Sequence, residues 1–473
     1  MSWVQDFIEF QRLEDELNLF DITIQGVKVW ERIRFQIYSA IETRMLDKSF
    51  THQRKNRFSR LIRLLKAIFS FRRNPRFAPK SDIMFVCSAR RVLENDGMWW
   101  DIYTDPIIQE FEVTPIAFET HFNNQHYGPE KTPNLRYFDF FETIAYLKRT
   151  LGITKITLDS REIQLLGNIA DELNNRFQTK LKIESITRRL LEERKVRLPQ
   201  YISLLKRIKP KIVVLAQGYY WEDMIEACRL LGIKTVELQH GVIYQYHAAY
   251  SYEGHSRRKD QFADYILLWG DYWKSSVVFP IPEERSVSVG FPYLESKRNS
   301  LSGIEKKRQI LFISQGNIGV KLSEFAVAVS ETISREYKIV YKLHPQEQMD
   351  WREKYPWLVS SSIEVVDPSK ITLHELFAES EIQVGVCSTA LFEGLAFGLR
   401  TYVLDASCVE LMNPIIEKGI VKKVSSPEEF SRDINRDSNM SSFNINLVFK
   451  DHATENIISF LRGLLDEMHQ LVN

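Results

Sequence analysis

The sequence predicts an α/β chain with two Rossmann-like domains facing across a cleft, preceded by an N-terminal helical arm. Three observations carry this. Two blocks of short β-rich apolar runs alternate with helical segments, the runs end in polar loops, and a polar, basic stretch at 293–308 separates the blocks. At 473 residues the chain is too long for one ordinary core. Its 44% hydrophobic and 26% charged content is that of a soluble globular protein. A net charge of +1 excludes any overall drive towards nucleic acid, so electrostatic arguments must be local. The four cysteines, Cys87, Cys228, Cys387 and Cys408, are scattered. Their spacing rules out a zinc ribbon and argues against a disulfide framework, so a reducing cytosol is expected. The first residues, MSWVQDFIEF, do not read as a signal peptide. No window reaches the roughly 18 to 20 apolar residues of a spanning helix.

Residues 1–50 read as helical with an interruption at Gly26, and Trp3, Phe7, Phe10 and Leu13 recur as a packing face. The stretch 51–80 is rich in Arg and Lys, interleaved with Phe, Leu and Ile, and holds no acid. It fits an anionic lipid surface, or else a solvated arm that packs its apolar stripe on the protein. The arm is therefore placed at 1–80 and the first domain at 81–292. Asp82–Cys87, Val113–Phe118 and Ile153–Leu158 read as strands, then a long helical region covers about 161–206. Lys211–Ala216, Trp221–Leu231 and Lys234–Leu238 form a β-α-β unit, followed by strands at Tyr265–Trp269 and Val287–Val289. After the linker 293–308, the second domain, 309–473, repeats the alternation. Strands are expected at Gln309–Ile313, Tyr337–Leu343, Ile363–Val366, Glu381–Val386 and Arg400–Leu404, and a closing helix at about 454–471.

Ligands of open parallel sheets bind beyond the carboxyl ends of the strands, so the residues that follow each strand are the candidates. In the second block, Ser388 and Thr389 begin a helix where backbone N–H groups and the dipole favour a phosphate, with Glu393 one turn on for ribose hydroxyls. His344, held extended by Pro345, can donate to a phosphate or stabilise charge on a leaving group. Ser314, Gln315 and Gly316 end the block's first strand. In the first block, His240 ends a strand, with Tyr244, His247 and Tyr250 on its loop, and could orient an acceptor or take a proton. Ser88, Arg90 and Arg91 follow another strand; the arginines suit an anionic acceptor or a surface acid. In NDGMWWDIYTDP, Trp99 and Trp100 either stack on sugar or belong to the core. Asp101 or Asp105 could serve as base, or else Asp105, before Pro106, marks a helix start.

The series ELQHG, a strand ending WG, VGFP, KLHP and STALFEGLAFG, across residues 81–460, resembles bacterial capsule and wall-polymer glycosyltransferases of the GT-B type. Gln-His-Gly and His-Pro are similar to elements of capsule Kdo transferases and polyglycerol-phosphate polymerases; His-Pro also occurs in bacterial sialyltransferases. The resemblance implies a nucleotide-sugar donor on the second domain, with His344, Ser388 and Thr389 on phosphate and Glu393 nearby; Ser314, Gln315 and Gly316 join them as donor candidates from their strand-end position. It implies a glycan or lipid-linked acceptor on the first, near His240, Asp101 and Arg90; Arg91, Trp99, Trp100, Tyr244 and His247 are acceptor candidates from the residues themselves. No cofactor and no metal are expected, because helix dipoles and side chains can stabilise the leaving phosphate. Nucleic acid is not an expected partner; the inner-membrane surface is, through the arm, which places the protein in the cytoplasm or peripherally on that face. One departure stands out. The polyglycerol-phosphate enzymes show an aspartate-tyrosine signature where this chain has Cys387-Ser388-Thr389-Ala390, which favours a sugar over glycerophosphate. The competing readings are a nucleotide-sugar 2-epimerase or glycerophosphotransferase-like enzyme on the same fold, and a non-catalytic protein that retains it.

Overall fold

The computed structural model describes residues 3–45, 73–122, 125–254, 259–316, 318–333, 336–367, 370–435 and 443–470. Two compact units divide the chain: residues 1–292 together with 452–473, and residues 293–451. The basic stretch 51–72, the centre of the arm expected at the membrane, lies outside the described residues. Among the described residues no helix is long and apolar enough to cross a membrane.

The first unit is built on a seven-stranded parallel sheet. Its strands are β1 (Ile83–Val86), β2 (Ile116–Glu119), β3 (Leu135–Tyr137), β4 (Ile212–Leu215), β5 (Lys234–Leu238), β6 (Tyr265–Leu268) and β7 (Ser286–Ser288). They lie in the order β7-β6-β5-β4-β1-β2-β3. The central runs IMFV and IVVL are buried at every position, as a sheet covered on both faces requires. One covering core joins Met84, Val86, Val213 and Leu215 to Leu204, Leu205 and Ile208. The other joins Phe85, Val214 and Val236 to Ile457, Leu461 and Leu464. The run Ile153–Leu158 is not a strand. Its alternation buries Ile156 and Leu158 in a helical cluster, while Arg188 and Gln25 bond its carbonyls at Ile156 and Thr157. The sheet's edge position is taken by Leu135–Tyr137 instead.

That helical cluster is a third core. It gathers α1 (Trp3–Glu16), α2 (Trp30–Met45), α4 (Ser160–Phe177) and the start of α5 (Ile183–Ile208); α3 (Asp139–Thr150) and α6 (Glu222–Leu230) flank the sheet. The single long helix expected over 161–206 is thus two. Asp159 and Glu162 form a capping box at the start of α4, and Gln178, with φ 55°, ends it. Residues 3–45 are a layer of the first unit rather than an arm: Phe7, Phe10, Leu13, Trp30 and Ile37 are buried in this cluster. At its centre, fully buried Arg34 donates from Nε to Glu14 Oε1 at 2.6 Å and from Nη1 to the carbonyl of Ser251 at 3.0 Å. Trp30 Nε1 donates to the same carboxylate at 2.8 Å.

The second unit carries a six-stranded parallel sheet. Its strands are β8 (Lys307–Ile313), β9 (Lys338–Lys342), β10 (Glu364–Val366), β11 (Ser380–Gly385), β12 (Arg400–Leu404) and β13 (Lys422–Val424), ordered β10-β9-β8-β11-β12-β13. Its helices include α7 (Pro292–Ser300), α8 (Gly319–Thr332), α9 (Leu373–Glu379) and α10 (Thr389–Ala396). Much of the expected linker is α7, and β8 begins at Lys307. The closing helix α11 (Ala453–Gln470) groups with the first unit, because Ile457, Leu461 and Leu464 complete the core beneath β1 and β4.

Replacing Arg34 by leucine strands the Glu14 carboxylate in an apolar core, a change that costs about 3–5 kcal/mol. Urea unfolding of Arg34→Leu should show a lower midpoint with the slope retained. An unchanged midpoint would mean that the pair does not hold this layer.

Candidate functional site

Four adjacent strands of the first sheet, β5, β4, β1 and β2, release their chains on one edge, and a cavity of about 460 Å³ lies there. Ser88 and Arg90 line it after β1, Thr120, His121 and Phe122 after β2, Gln217, Tyr219, Tyr220 and Trp221 after β4, and His240 after β5. Glu142, Arg197, Tyr201 and Asp223 reach it from helices. Gly218, between these residues, lets the chain pass close to Glu237: a Cβ there would stand 2.3 Å from Glu237 Oε2. Burial pushes the Glu237 carboxyl up to about 7, and Tyr250 donates to it at 2.6 Å.

His240 is half-buried and held from two sides. The Tyr219 hydroxyl is 3.1 Å from its Nε2, and the Tyr103 hydroxyl donates to its carbonyl at 2.7 Å. Burial first, then the charges of His247 and Arg90, push it down to about 3. The imidazole is therefore neutral at pH 7 and a weak proton acceptor. Its Nδ1 is buried without a hydrogen-bond partner among the described residues. It suits orientation by hydrogen bonding better than base catalysis. Phe35 of α2 supports the arrangement, 4.7 Å from the Tyr219 ring and stacked on His247 at 5.6 Å.

Several sequence candidates are scaffold. Asp101 is fully buried, and its carboxylate accepts from the Ser88 amide and hydroxyl (2.7 and 2.8 Å) and from the Tyr103 and Thr104 amides (3.0 and 3.1 Å). With those bonds made it shapes the loop after β1 and is not placed as a base. Asp105, pushed up to about 7 by burial and then by Asp101, accepts from the Asp101 amide at 2.7 Å. Arg91 points into the protein, donating from Nε and Nη2 to Glu119 at 2.8 and 2.7 Å, so it is not a surface cation. Trp99 packs on Tyr127 at 4.5 Å, and Lys131 lies over Trp100 at 4.7 Å. Tyr244 and His247 pack beside α1 and α2, against Trp3 and Phe35. None of these last four lines the cavity. Of the expected acceptor residues, Arg90 and His240 do. The aromatic run Tyr219-Tyr220-Trp221, separated by three residues from the end of the strand at Leu215, and the pair His121–Glu142 (3.4 Å) were missed. A polar and aromatic run at a strand end was the available signal.

In the second unit, β9, β8 and β11 are neighbours, so the predicted loops meet on one edge. Gln315 after β8 accepts from the Cys387 amide at 3.2 Å, tying its loop to that of β11. Ser388 caps α10, its hydroxyl accepting from the Ala390 amide at 3.2 Å, and Thr389 is the first helical residue. After β9, the His344 amide donates to Glu347 at 2.7 Å, and its Nδ1 accepts from the Gln346 amide at 3.3 Å. That bond leaves the ring proton on Nε2, where it is a donor. Ser314 is buried in a network with Tyr341 and Glu347, so its hydroxyl is structural. Gly316 lies beside Gln346, whose Oε1 would be 3.6 Å from a Cβ there. Glu393 is engaged by His374 at 3.1 Å, a partner not anticipated from sequence.

Cys387 and Cys408 form a disulfide, with Cα atoms 6.1 Å apart. This overturns the expectation of reduced, unpaired cysteines for two of the four; Cys87 and Cys228 are free and buried. The bridge joins the loop after β11 to the loop after β12, two strands paired in the sheet, which sequence spacing does not display.

No family model and no curated protein matches the chain. Among solved structures it is similar to a UDP-GlcNAc 2-epimerase from Neisseria meningitidis bound to UDP-GlcNAc. Identity there is 14%, over 80% of this chain and 99% of that one, with a TM-score of 0.49. It is also similar to MurG of Acinetobacter baumannii, at 13% identity over 81% and 100% of the chains and a TM-score of 0.44. The wall teichoic acid polymerase TagF gives 10% identity over 93% and 97%, with a TM-score of 0.40.

Two outcomes follow from this geometry. Peptide mapping without reductant should recover Cys387 linked to Cys408, and reduction should lower stability by about 3 kcal/mol for a loop of this length. Recovery of both as free thiols would remove the bridge. Burial also pushes His247 down to about 4, so both it and His240 lie below the ordinary histidine value near 6.5. Between those values and 6.5 the unfolded chain binds more protons, so stability falls as pH drops through that window. The double variant His240→Asn/His247→Asn should lose fewer degrees of melting temperature between pH 7 and 5 than the unaltered protein. An identical loss would show that neither ring is held neutral.

Proposed function

We propose that the chain is a glycosyltransferase that moves a sugar from a nucleotide-activated donor to a surface-polysaccharide or lipid-linked glycan acceptor. The observation that carries this reading is the cavity at the carboxyl edge of the first sheet. It combines the aromatic faces of Tyr219, Tyr220, Trp221 and Phe122 with closely placed hydrogen-bonding groups, the lining that a sugar ring uses. In it neutral His240, held by Tyr219, orients the acceptor hydroxyl, and the His121–Glu142 pair takes its proton.

The donor belongs to the second unit. The amides at the start of α10, with Ser388 and Thr389, and the Nε2–H of His344 meet the diphosphate. Gln315 holds the β8 and β11 loops together beneath it. The resemblance to capsule and wall-polymer transferases supports the polymer as the acceptor class. The 2-epimerase reading uses the same donor side but leaves the first unit's aromatic wall without an acceptor to bind.

A thermal-shift series with CMP, CDP, UDP, GDP and ADP tests the donor site directly. One nucleotide should stabilise the protein selectively, by about 2.7 kcal/mol at a hundredfold excess over its Kd. His344→Ala should abolish that shift and lower turnover at least about a hundredfold, the scale of one lost oxyanion donor, while melting unchanged without ligand. Folded protein that answers to no nucleotide would overturn the reading. Interconversion of a nucleotide sugar without any acceptor would replace it with epimerisation.

A further inference from the structure

The first unit carries a second cavity, about 430 Å³, between α3, α5 and the turn at Asn74–Ala78. No strand-end residue lines it, so it is separate from the site described above. Its charged lining is Arg76, Lys148, Lys195 and Arg207, with no carboxylate in the wall. Among the described residues none of the four forms an ion pair; Arg76 instead lies over the Phe140 ring at 4.9 Å. All four are solvent-exposed, and together they give this face a local positive potential that favours an anionic partner. Gln200 lines the same wall, and its Oε1 is buried without a partner among the described residues.

The surroundings choose between a soluble anion and a lipid. Leu147 is exposed beside Lys148, Leu151 lies one turn on at 71% exposure, and Ile153 follows at 61%. A free phosphate would leave these side chains in water, whereas the boundary between headgroups and acyl chains would bury them. We infer that this face docks on an anionic phospholipid surface, seating a headgroup phosphate among Arg76, Lys148, Lys195 and Arg207. The surface acts independently of the transfer reaction, and of the basic stretch 51–72.

The test is flotation of the full chain with phosphatidylcholine vesicles, with and without phosphatidylglycerol, leaving 51–72 intact in every variant. The unaltered protein should float with the phosphatidylglycerol vesicles only, and added salt should weaken this. The triple variant Lys148→Gln/Lys195→Gln/Arg207→Gln should bind them about a hundredfold more weakly, roughly fivefold for each cation neutralised. Its melting temperature and nucleotide response should be unaltered. Leu151→Ser should weaken binding without changing its salt dependence. The proposal is overturned if the triple variant floats like the parent, or if both vesicle types bind equally. It is also overturned if inorganic phosphate stabilises the parent but not the variant while vesicles recruit neither.

Discussion

Every strand of both large sheets runs in the same direction as its neighbours, and most of the architecture follows from that. Parallel pairing needs a crossover between successive strands, so helices cover the faces and the strands can be apolar throughout. It also gathers all carboxyl ends on one edge. There the chain is no longer occupied by ladder hydrogen bonds and must satisfy its polar groups with side chains. Asp101 does this for the loop after β1, Gln315 for the loop after β11, and Glu347 for the loop after β9. The strand-end loops are therefore shaped by their own need for hydrogen-bond partners.

The helical layer at the start of the chain has a related role. Arg34 fastens α2 to Glu14 and to the carbonyl of Ser251, and Phe35, the next residue, meets Tyr219 and His247. One turn of helix thus anchors a buried charge pair on one side and an aromatic support for His240 on the other. His126 shows the same coupling elsewhere on the edge. Burial alone would lower it, but its bonds to Asp139 and Glu119, at 2.7 and 2.8 Å, outweigh this and push it up to about 9. The stability that pair gives is complete below about pH 6.5 and is lost as pH rises through 9.

Those elements whose pattern is local were legible in the sequence. The runs KIVVL and DIMFV are strands because their β-branched and aromatic residues are buried on both faces. His344 and Ser388 were identifiable because strand-end position follows from the strands themselves. What failed depends on contacts distant in sequence. The alternation at Ile153–Leu158 reads as a strand, yet the partner for its apolar side is a helical cluster. Arg91 resembles a surface cation until Glu119 is brought beneath it. Cys387 and Cys408 resemble unrelated thiols until β11 and β12 pair. Asp101 has the residue type of a base, but only the folded loop shows that its oxygens are already occupied.

The helix α11 follows the second unit in the chain yet completes the core of the first, under β1 and β4. The second unit is thus, topologically, an insertion within the first. During synthesis the first sheet emerges early but must wait, one face incomplete, until every residue of the inserted unit has been added. The apolar side chains that Ile457, Leu461 and Leu464 eventually cover stay exposed through that interval. A nascent chain of this design has a built-in vulnerable period that a simple head-to-tail arrangement of two domains would avoid.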